Sequence, residues 1–223
     1  MLSKKTSLFL LQSLRSFGLL LFVSVLQFVI SAQVHSASQS AAQELQKELN
    51  SFKSLTANFE QRVIGQDLKL IDVQRGKFFL KQPGKFKWKY DDGEQDIVSD
   101  GKIIYFVMRD LEQVIKRDFE TAIQTVPSLI LVTDSSKLSE LFAIEKLPSK
   151  TRSTRFQLLP KSLDSNYESV SVSFLNGKLL SLRLVDILGQ TTEVVLSSTK
   201  NNPSISNQEF RVTIPKGYDV IQG

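Results

Sequence analysis

Cysteine is absent from the 223 residues. That removes disulfides, thiolate nucleophiles, thiolate metal sites and lipid attachment at a leader cysteine in one step. Stability must then come from a packed core. Histidine occurs once, at His35, where an export leader would end, so the mature chain is expected to lack it as well. Histidine-dependent triads and most transition-metal centres are thereby excluded. No GxSxG elbow, Walker loop or dinucleotide fingerprint is present. The surviving enzymatic reading is a carboxylate pair, with Asp91, Asp92 and Glu94 as the densest acidic cluster. Asp and Gly favour turns for backbone reasons, and a solvated hairpin turn is the preferred reading of the same residues. The expectation is a protein with no catalytic residues, no metal and no cofactor.

Long apolar runs are scarce too. Lys4, Lys5 and Arg15 precede one such run, Phe17 to Ile30, and small residues follow at Ser31-Ala32 and Ser36-Ala37. This is the pattern of a cleaved secretory signal peptide, residues 1–37, with the cut between Ala32 and Ala37. An uncleaved anchor would need roughly 20 apolar residues, and this run is shorter and holds Ser24 and Gln27. The leader takes away three basic and no acidic residues, which leaves 25 basic against 23 acidic, a charge of +2. So balanced a chain lacks the concentrated basic patch of nucleic-acid binders. Residues 38–223 are expected to form a single exported domain, periplasmic where the cell has a periplasm.

What the sequence does have is alternation. The stretch Gly76 to Arg117 reads as four strands separated by Pro83-Gly84, Asp91-Asp92-Gly93 and Ser99-Asp100-Gly101-Lys102. Within it, Lys85 to Tyr90 places Phe86, Trp88 and Tyr90 on one face and three lysines on the other. Upstream, Ser40 to Gln43 has capping-box spacing and opens an amphipathic helix with Leu45, Leu49 and Phe52 on one side. A strand from Leu55 to Val63 and an extended region from Ile71 to Leu80 follow. After Arg117 the period becomes helical: Asp118 is a candidate N-cap for a helix carrying Phe119, Ala122, Ile123 and Val126, and Pro127 opens another over Ser128 to Val132. Strands resume at Phe142–Leu147, Arg155–Leu159, Tyr167–Phe174, Leu179–Val185, Thr191–Ser197 and Phe210–Ile214. Ten or eleven strands at this spacing suit an all-β barrel or sandwich. The two helices interrupt the series, and folded over the sheet they would make a lid on a closable apolar cavity.

Several motifs, in order, resemble the periplasmic outer-membrane lipoprotein carriers, the LolA family. They are Leu55, Ala57, Phe59 and Gln61 in alternation; Gly76; Pro83 to Trp88 with Tyr90; Val98 to Lys102; and Leu111 to Val114. The likeness continues through Pro127, Phe156 with Leu158 and Pro160-Lys161, Asp186 with Gly189 to Thr191, and Pro215 with Gly217 and Asp219 to Ile221. The resemblance implies an incomplete, half-open antiparallel β-barrel, an N-terminal helix, and a short-helix lid over a hydrophobic cavity for acyl chains. It further implies a monomeric carrier that takes acylated lipoproteins from an inner-membrane ABC transporter to an outer-membrane lipoprotein receptor.

On that resemblance Phe86 is a candidate for transporter contact or cargo. Phe78, Leu80, Trp88 and Tyr90 are candidates for cargo binding or the cavity wall. Phe119, Ile123, Val126, Leu129 and Ile130 are the lid candidates. Family members often carry arginine before the strand-turn proline, linked to lid closure; here that latch position is Gln82, which offers neutral hydrogen bonds only. A periplasmic lipid or glycolipid carrier is the alternative with the same architecture, and a carboxylate-dependent hydrolase is the distant one. Phe86→Glu is expected to lose transporter engagement or loading while the fold survives.

Overall fold

The computed structural model describes residues 40–123, 127–149 and 151–223. Helix α1 (residues 40–50) leads into β1 (Ser54–Ile64), β2 (Leu70–Lys81), β3 (Lys85–Tyr90), β4 (Gln95–Asp100), β5 (Ile103–Met108) and β6 (Gln113–Asp118). The interruption holds α2 (Phe119–Ala122), a 3-10 helix (Pro127–Val132) and α3 (Ser135–Leu141). Then come β7 (Phe142–Leu147), β8 (Ser153–Pro160), β9 (Tyr167–Leu175), β10 (Lys178–Asp186), β11 (Thr191–Asn201), a 3-10 turn (Asn207–Phe210) and β12 (Asp219–Gln222).

All twelve strands belong to one sheet, in the order β12-β6-β5-β4-β3-β2-β1-β11-β10-β9-β8-β7. Every neighbouring pair is antiparallel except β12 with β6. β12 and β7 are the edge strands, each paired on one side only among the described residues, so the expected incomplete barrel is met as an open sheet. Strands far apart in this order, β3–β6 and β9–β11, wall one cavity. The sheet is therefore curved, with its apolar face inside.

Inward positions follow the two-residue period. Leu55, Ala57 and Phe59 of β1 are buried, as are Phe78 and Leu80 of β2 and Phe86, Trp88 and Tyr90 of β3. Helix α1 buries Leu45 and Leu49 in the same cluster, with Phe52 just beyond its end. One glycine makes this packing possible. Gly76 stands opposite both Phe59 and Tyr90 in register, and a β-carbon there would collide with the Lys89 carbonyl oxygen and lie 2.7 Å from the Phe59 ring.

Several expectations need correction. The run read as one strand from Ile103 to Arg117 is a hairpin, β5 and β6, reversing at Arg109 to Glu112. That turn holds neither glycine nor proline, and Glu112 itself takes the left-handed conformation, φ 52°. Phe210–Ile214 is not a strand: Asn207–Phe210 is a 3-10 turn that packs against β3 and β4, and the twelfth strand comes later, at Asp219–Gln222. α3 was not anticipated. Asp118 does cap α2, accepting from the Glu120 and Thr121 amides at 2.9 and 3.4 Å. The helix opened by Pro127 is of 3-10 type. Val126 lies outside the described residues.

Gly76→Ala is expected to cost about 2–3 kcal/mol, because neither a backbone carbonyl nor a ring wedged edge-on against Trp88 and Tyr90 can retreat. Gly93→Ala, in open space with φ +75°, is the control and should cost only about 1 kcal/mol of left-handed strain. Urea unfolding midpoints of the two variants measure the difference.

Candidate functional site

Cross-strand register assembles the inner wall. Phe78 lies opposite Trp88, Trp88 opposite Ile97, Ile97 opposite Phe106 and Phe106 opposite Ile115, a continuous apolar row across β2 to β6. The Phe59 ring meets Trp88 edge-on at 4.9 Å and Tyr90 at 5.2 Å, and Phe78 lies 4.2 Å from Trp88 at a tilt of 30°. Such arrangements add about 0.5–1.5 kcal/mol per pair beyond area burial, which stiffens this wall.

In front of it is a cavity of about 360 Å³. Trp88, Tyr90, Ile97, Phe106 and Ile115 line one side, and Val170, Leu182, Leu184 and Val194 of β9–β11 line the other. Polar side chains, among them Gln61, Gln95, Asp96, Arg117, Arg183 and Thr192, share the lining, though most of its surface is apolar. The Tyr90 hydroxyl lies 3.5 Å from Gln61 Oε1, the outer limit for donation. The Arg117 guanidinium lies over the Phe106 ring at 5.5 Å, a cation–π contact. Burial, with the nearby Asp92 carboxylate second, pushes the Tyr90 phenol up to about 12. Burial alone does the same to Tyr167, also to about 12. The site is a largely apolar space bordered by polar and charged side chains.

The structure brings the expected wall residues together but separates their positions. Trp88 and Tyr90 line the cavity, whereas Phe78, Leu80 and Phe86, on the same face of the sheet, lie beside it in the packed core. Phe86 is only 1% exposed, and that overturns the expected tolerance of Phe86→Glu, which would bury a carboxylate without a partner. Among the lid candidates, Phe119, Ile123, Leu129 and Ile130 are buried in the same cluster as the wall. None of these four lines the open cavity; Ser128 does. Among the described residues Gln82 bonds to the N-terminal segment: its Nε2 donates to the Leu49 carbonyl at 2.9 Å, at the end of α1, and its own amide donates to Lys53 O at 2.8 Å. Asp91, Asp92 and Glu94 form the β3–β4 turn, with Asp92 Oδ1 accepting from the Glu94 amide at 3.0 Å. The wall from β9–β11 was missed as a site, although the strict apolar/serine alternation of β9 marked its inward face.

The family model described as outer membrane lipoprotein carrier protein LolA matches residues 50–213. The chain belongs to the LolA family. The outer-membrane lipoprotein carrier protein of Cupriavidus pinatubonensis is 33% identical over 198 residues, covering 87% of this chain and 93% of that protein. That of Pseudomonas putida is 34% identical over 187 residues, covering 83% and 90%. Among solved structures, an uncharacterized conserved protein from Thermus thermophilus aligns with a TM-score of 0.51 at 11% identity, over 82% of this chain and 99% of that one, a likeness of fold alone. These LolA relatives are named as carriers, not catalysts, in line with the expectation that the protein is not an enzyme.

The phenols give a test of the burial. Because both folded-state values lie above the ordinary tyrosine value, the folded protein holds these protons more tightly than the unfolded chain. Stability from this source is complete below about pH 10 and is lost as pH rises toward 12. Ultraviolet titration should therefore find Tyr90 and Tyr167 still protonated at about pH 11, with Tyr90→Phe and Tyr167→Phe removing one late-titrating phenol each.

Proposed function

We infer that this protein carries acylated lipoproteins through the periplasm, receiving them from an inner-membrane ABC transporter and passing them to an outer-membrane receptor. The observation that carries the reading is the apolar cavity, walled by two separate groups of strands and covered by short helices, in a chain of this family. Residues 1–37 act as a cleaved leader and 38–223 as the carrier domain. Trp88 and Tyr90 meet the acyl chains. Phe78, Leu80 and Phe86 continue that wall along the same face into the packed core, and Phe86 becomes available to cargo or transporter when the cover shifts. Phe119, Ile123, Leu129 and Ile130, with Val126, form the lid. Gln82 acts on α1, steadying the base of the sheet, and lid movement is set by apolar packing.

The cycle is a competition between apolar surfaces. A cavity of about 360 Å³ is at the small end of the roughly 300–1,000 Å³ typical of single small ligands. A long acyl chain gains room by displacing lid side chains from the wall. Each buried methylene is worth about 0.8 kcal/mol, but the lid contacts given up offset much of that gain, so the cargo stays releasable.

Purified protein added to spheroplasts making a labelled triacylated lipoprotein should draw the label into a soluble one-to-one complex. Failure to do so, with a known carrier working in parallel, points instead to a free lipid or glycolipid as cargo. Ile130→Ala should lower folding stability by about 2–5 kcal/mol and slow cargo release, since the empty lid then competes less well. Unchanged release would remove the competition from the mechanism.

A further inference from the structure

Of the four tyrosines, one is buried with nothing to bond. The Tyr90 hydroxyl lies within reach of Gln61 Oε1, and that of Tyr105 donates to Asp100 Oδ2 at 3.3 Å. Tyr167 is 4% exposed, and its hydroxyl has no hydrogen-bond partner among the described residues. Two other buried polar atoms lack one, Gln46 Oε1 and Asn201 Oδ1, but their amide nitrogens are bonded, to Asn50 Oδ1 at 2.9 Å and to Gly177 O at 3.0 Å. An unpaired buried hydroxyl is unfavourable, and such groups are rare in folded proteins. Burial pushes this phenol up to about 12, so it stays neutral and keeps a proton to donate.

Tyr167 opens β9, a strand of the second cavity wall. Val170, three residues or about 10 Å further along the strand, lines the cavity, as does Leu184 opposite Val170 in register. Tyr167 pairs with Asp186, two residues beyond Leu184, at the end of the strands where Gln61, Tyr90 and Thr192 also border the cavity. Its ring stacks on Phe142, with centroids 6.5 Å apart and planes 19° from parallel. Phe142 ends α3, its amide donating to the Leu138 carbonyl, and Leu138, Phe142 and Tyr167 share one core cluster. The phenol is thus packed against the last turn of the cover, beside the cavity and at one end of its wall.

We propose that the Tyr167 hydroxyl is a donor kept for a carbonyl oxygen of the cargo's acyl groups, reached when α3 moves off the wall. As a site for acyl carbonyls it deepens the carrier reading and rests on it. An acyl chain is apolar along its length and polar at one end, where an ester or amide oxygen accepts a hydrogen bond. Cargo that fills the cavity with methylenes brings that oxygen to one end of the wall, where Tyr167 stands. The pairing is open only to the loaded protein: in the empty one the hydroxyl is unbonded beneath the cover, and in the loaded one it is satisfied. Tyr167 therefore selects chains that carry a carbonyl at the head over plain hydrocarbon of the same length.

The test compares two probes, a cysteine peptide whose glyceryl group bears two palmitoyl esters, and its dialkyl ether analogue, which keeps both chains and lacks both ester carbonyls. Tyr167→Phe should weaken binding of the ester about three- to tenfold and leave the ether unchanged. The empty variant should melt at or above the wild-type temperature, since the atom removed bonds to nothing. With isotope-labelled ester carbonyls, the infrared carbonyl stretch should lie at lower frequency in the wild-type complex than in the variant, the mark of a hydrogen bond. Equal weakening for both probes, no weakening for the ester, or an unshifted carbonyl band overturns the proposal and leaves the carrier standing. So does an empty variant less stable than wild type, which would mean that the hydroxyl already has a partner. If neither probe binds the wild-type protein, the carrier reading itself fails and the role of Tyr167 falls with it.

Discussion

A single apolar sheet face wider than any one helix can cover is the constraint on which this structure depends. Twelve strands at about 4.8 Å spacing span roughly 58 Å, whereas a helix with its side chains is about 10–12 Å across. Helix α1 can shield only a few strands. Curvature solves part of the problem, because it turns β3–β6 toward β9–β11 and lets the two halves share one interior. The segments between β6 and β7 cover most of what remains, with Ile123, Leu129, Ile130 and Leu138 all in the common core. The residual cavity lies where neither device reaches.

The outer face has a smaller version of the same problem. Val98 and Val114 alternate with the cavity residues Ile97 and Ile115 and so lie on the sheet's other face, yet they are buried, and so is Phe210. The chain after β11 acts as a strap over this side. Its start is fixed to β1 by Asn202 N–H to Ser54 O at 2.8 Å. Lys81 Nζ donates to Ile205 O at 2.9 Å, Lys87 pairs with Glu209 at 2.9 Å, and β12 then closes the edge of β6 in parallel register. The pairing matters locally because Lys77 and Lys89 face each other across strands, as do Lys81 and Lys85, and opposed like charges are unfavourable. An acidic residue and carbonyl oxygens from the strap relieve part of that repulsion.

Alternation made most of the sheet legible, since a half-buried strand writes its inward face directly into the sequence. It failed where backbone conformation was not carried by a turn-forming residue, as at Glu112, and where burial came from a partner remote in the chain. Phe210 is apolar because β3 and β4 lie beneath it, not because it belongs to a strand. β12 is short and exposed, with Val220 and Ile221 on an edge, so it offers little pattern to read. At the site, the aromatic trio of β3 was evident, but period cannot tell a cavity-lining side chain from one packed over further along the same face. That distinction separates Trp88 and Tyr90 from Phe86, and only the three-dimensional packing decides it. The second wall is a long-range product of sheet curvature, which no local pattern encodes.

The cover's construction bears on how such a cavity opens. α2 has four residues, the 3-10 helix six and α3 seven, all well below the roughly 12–15 at which an isolated helix becomes stable in water. Local capping helps: Asp118 caps α2 and Asp134 caps α3, accepting from the Lys137 amide at 3.0 Å. These bonds tie each piece to its own first turn, not to the sheet. Hydrogen bonds anchor the two ends of the cover, Phe119 N–H to Lys102 O and Lys161 N–H to Leu141 O, both at 2.9 Å, and between those ends its order derives from apolar contact with the wall. A cover of this kind can leave the wall piece by piece while the sheet stays intact, because what holds it is non-directional packing that another apolar surface can replace. In the proposed cycle that surface is an acyl chain, and the same weakness that lets the chain enter lets the cover return and expel it.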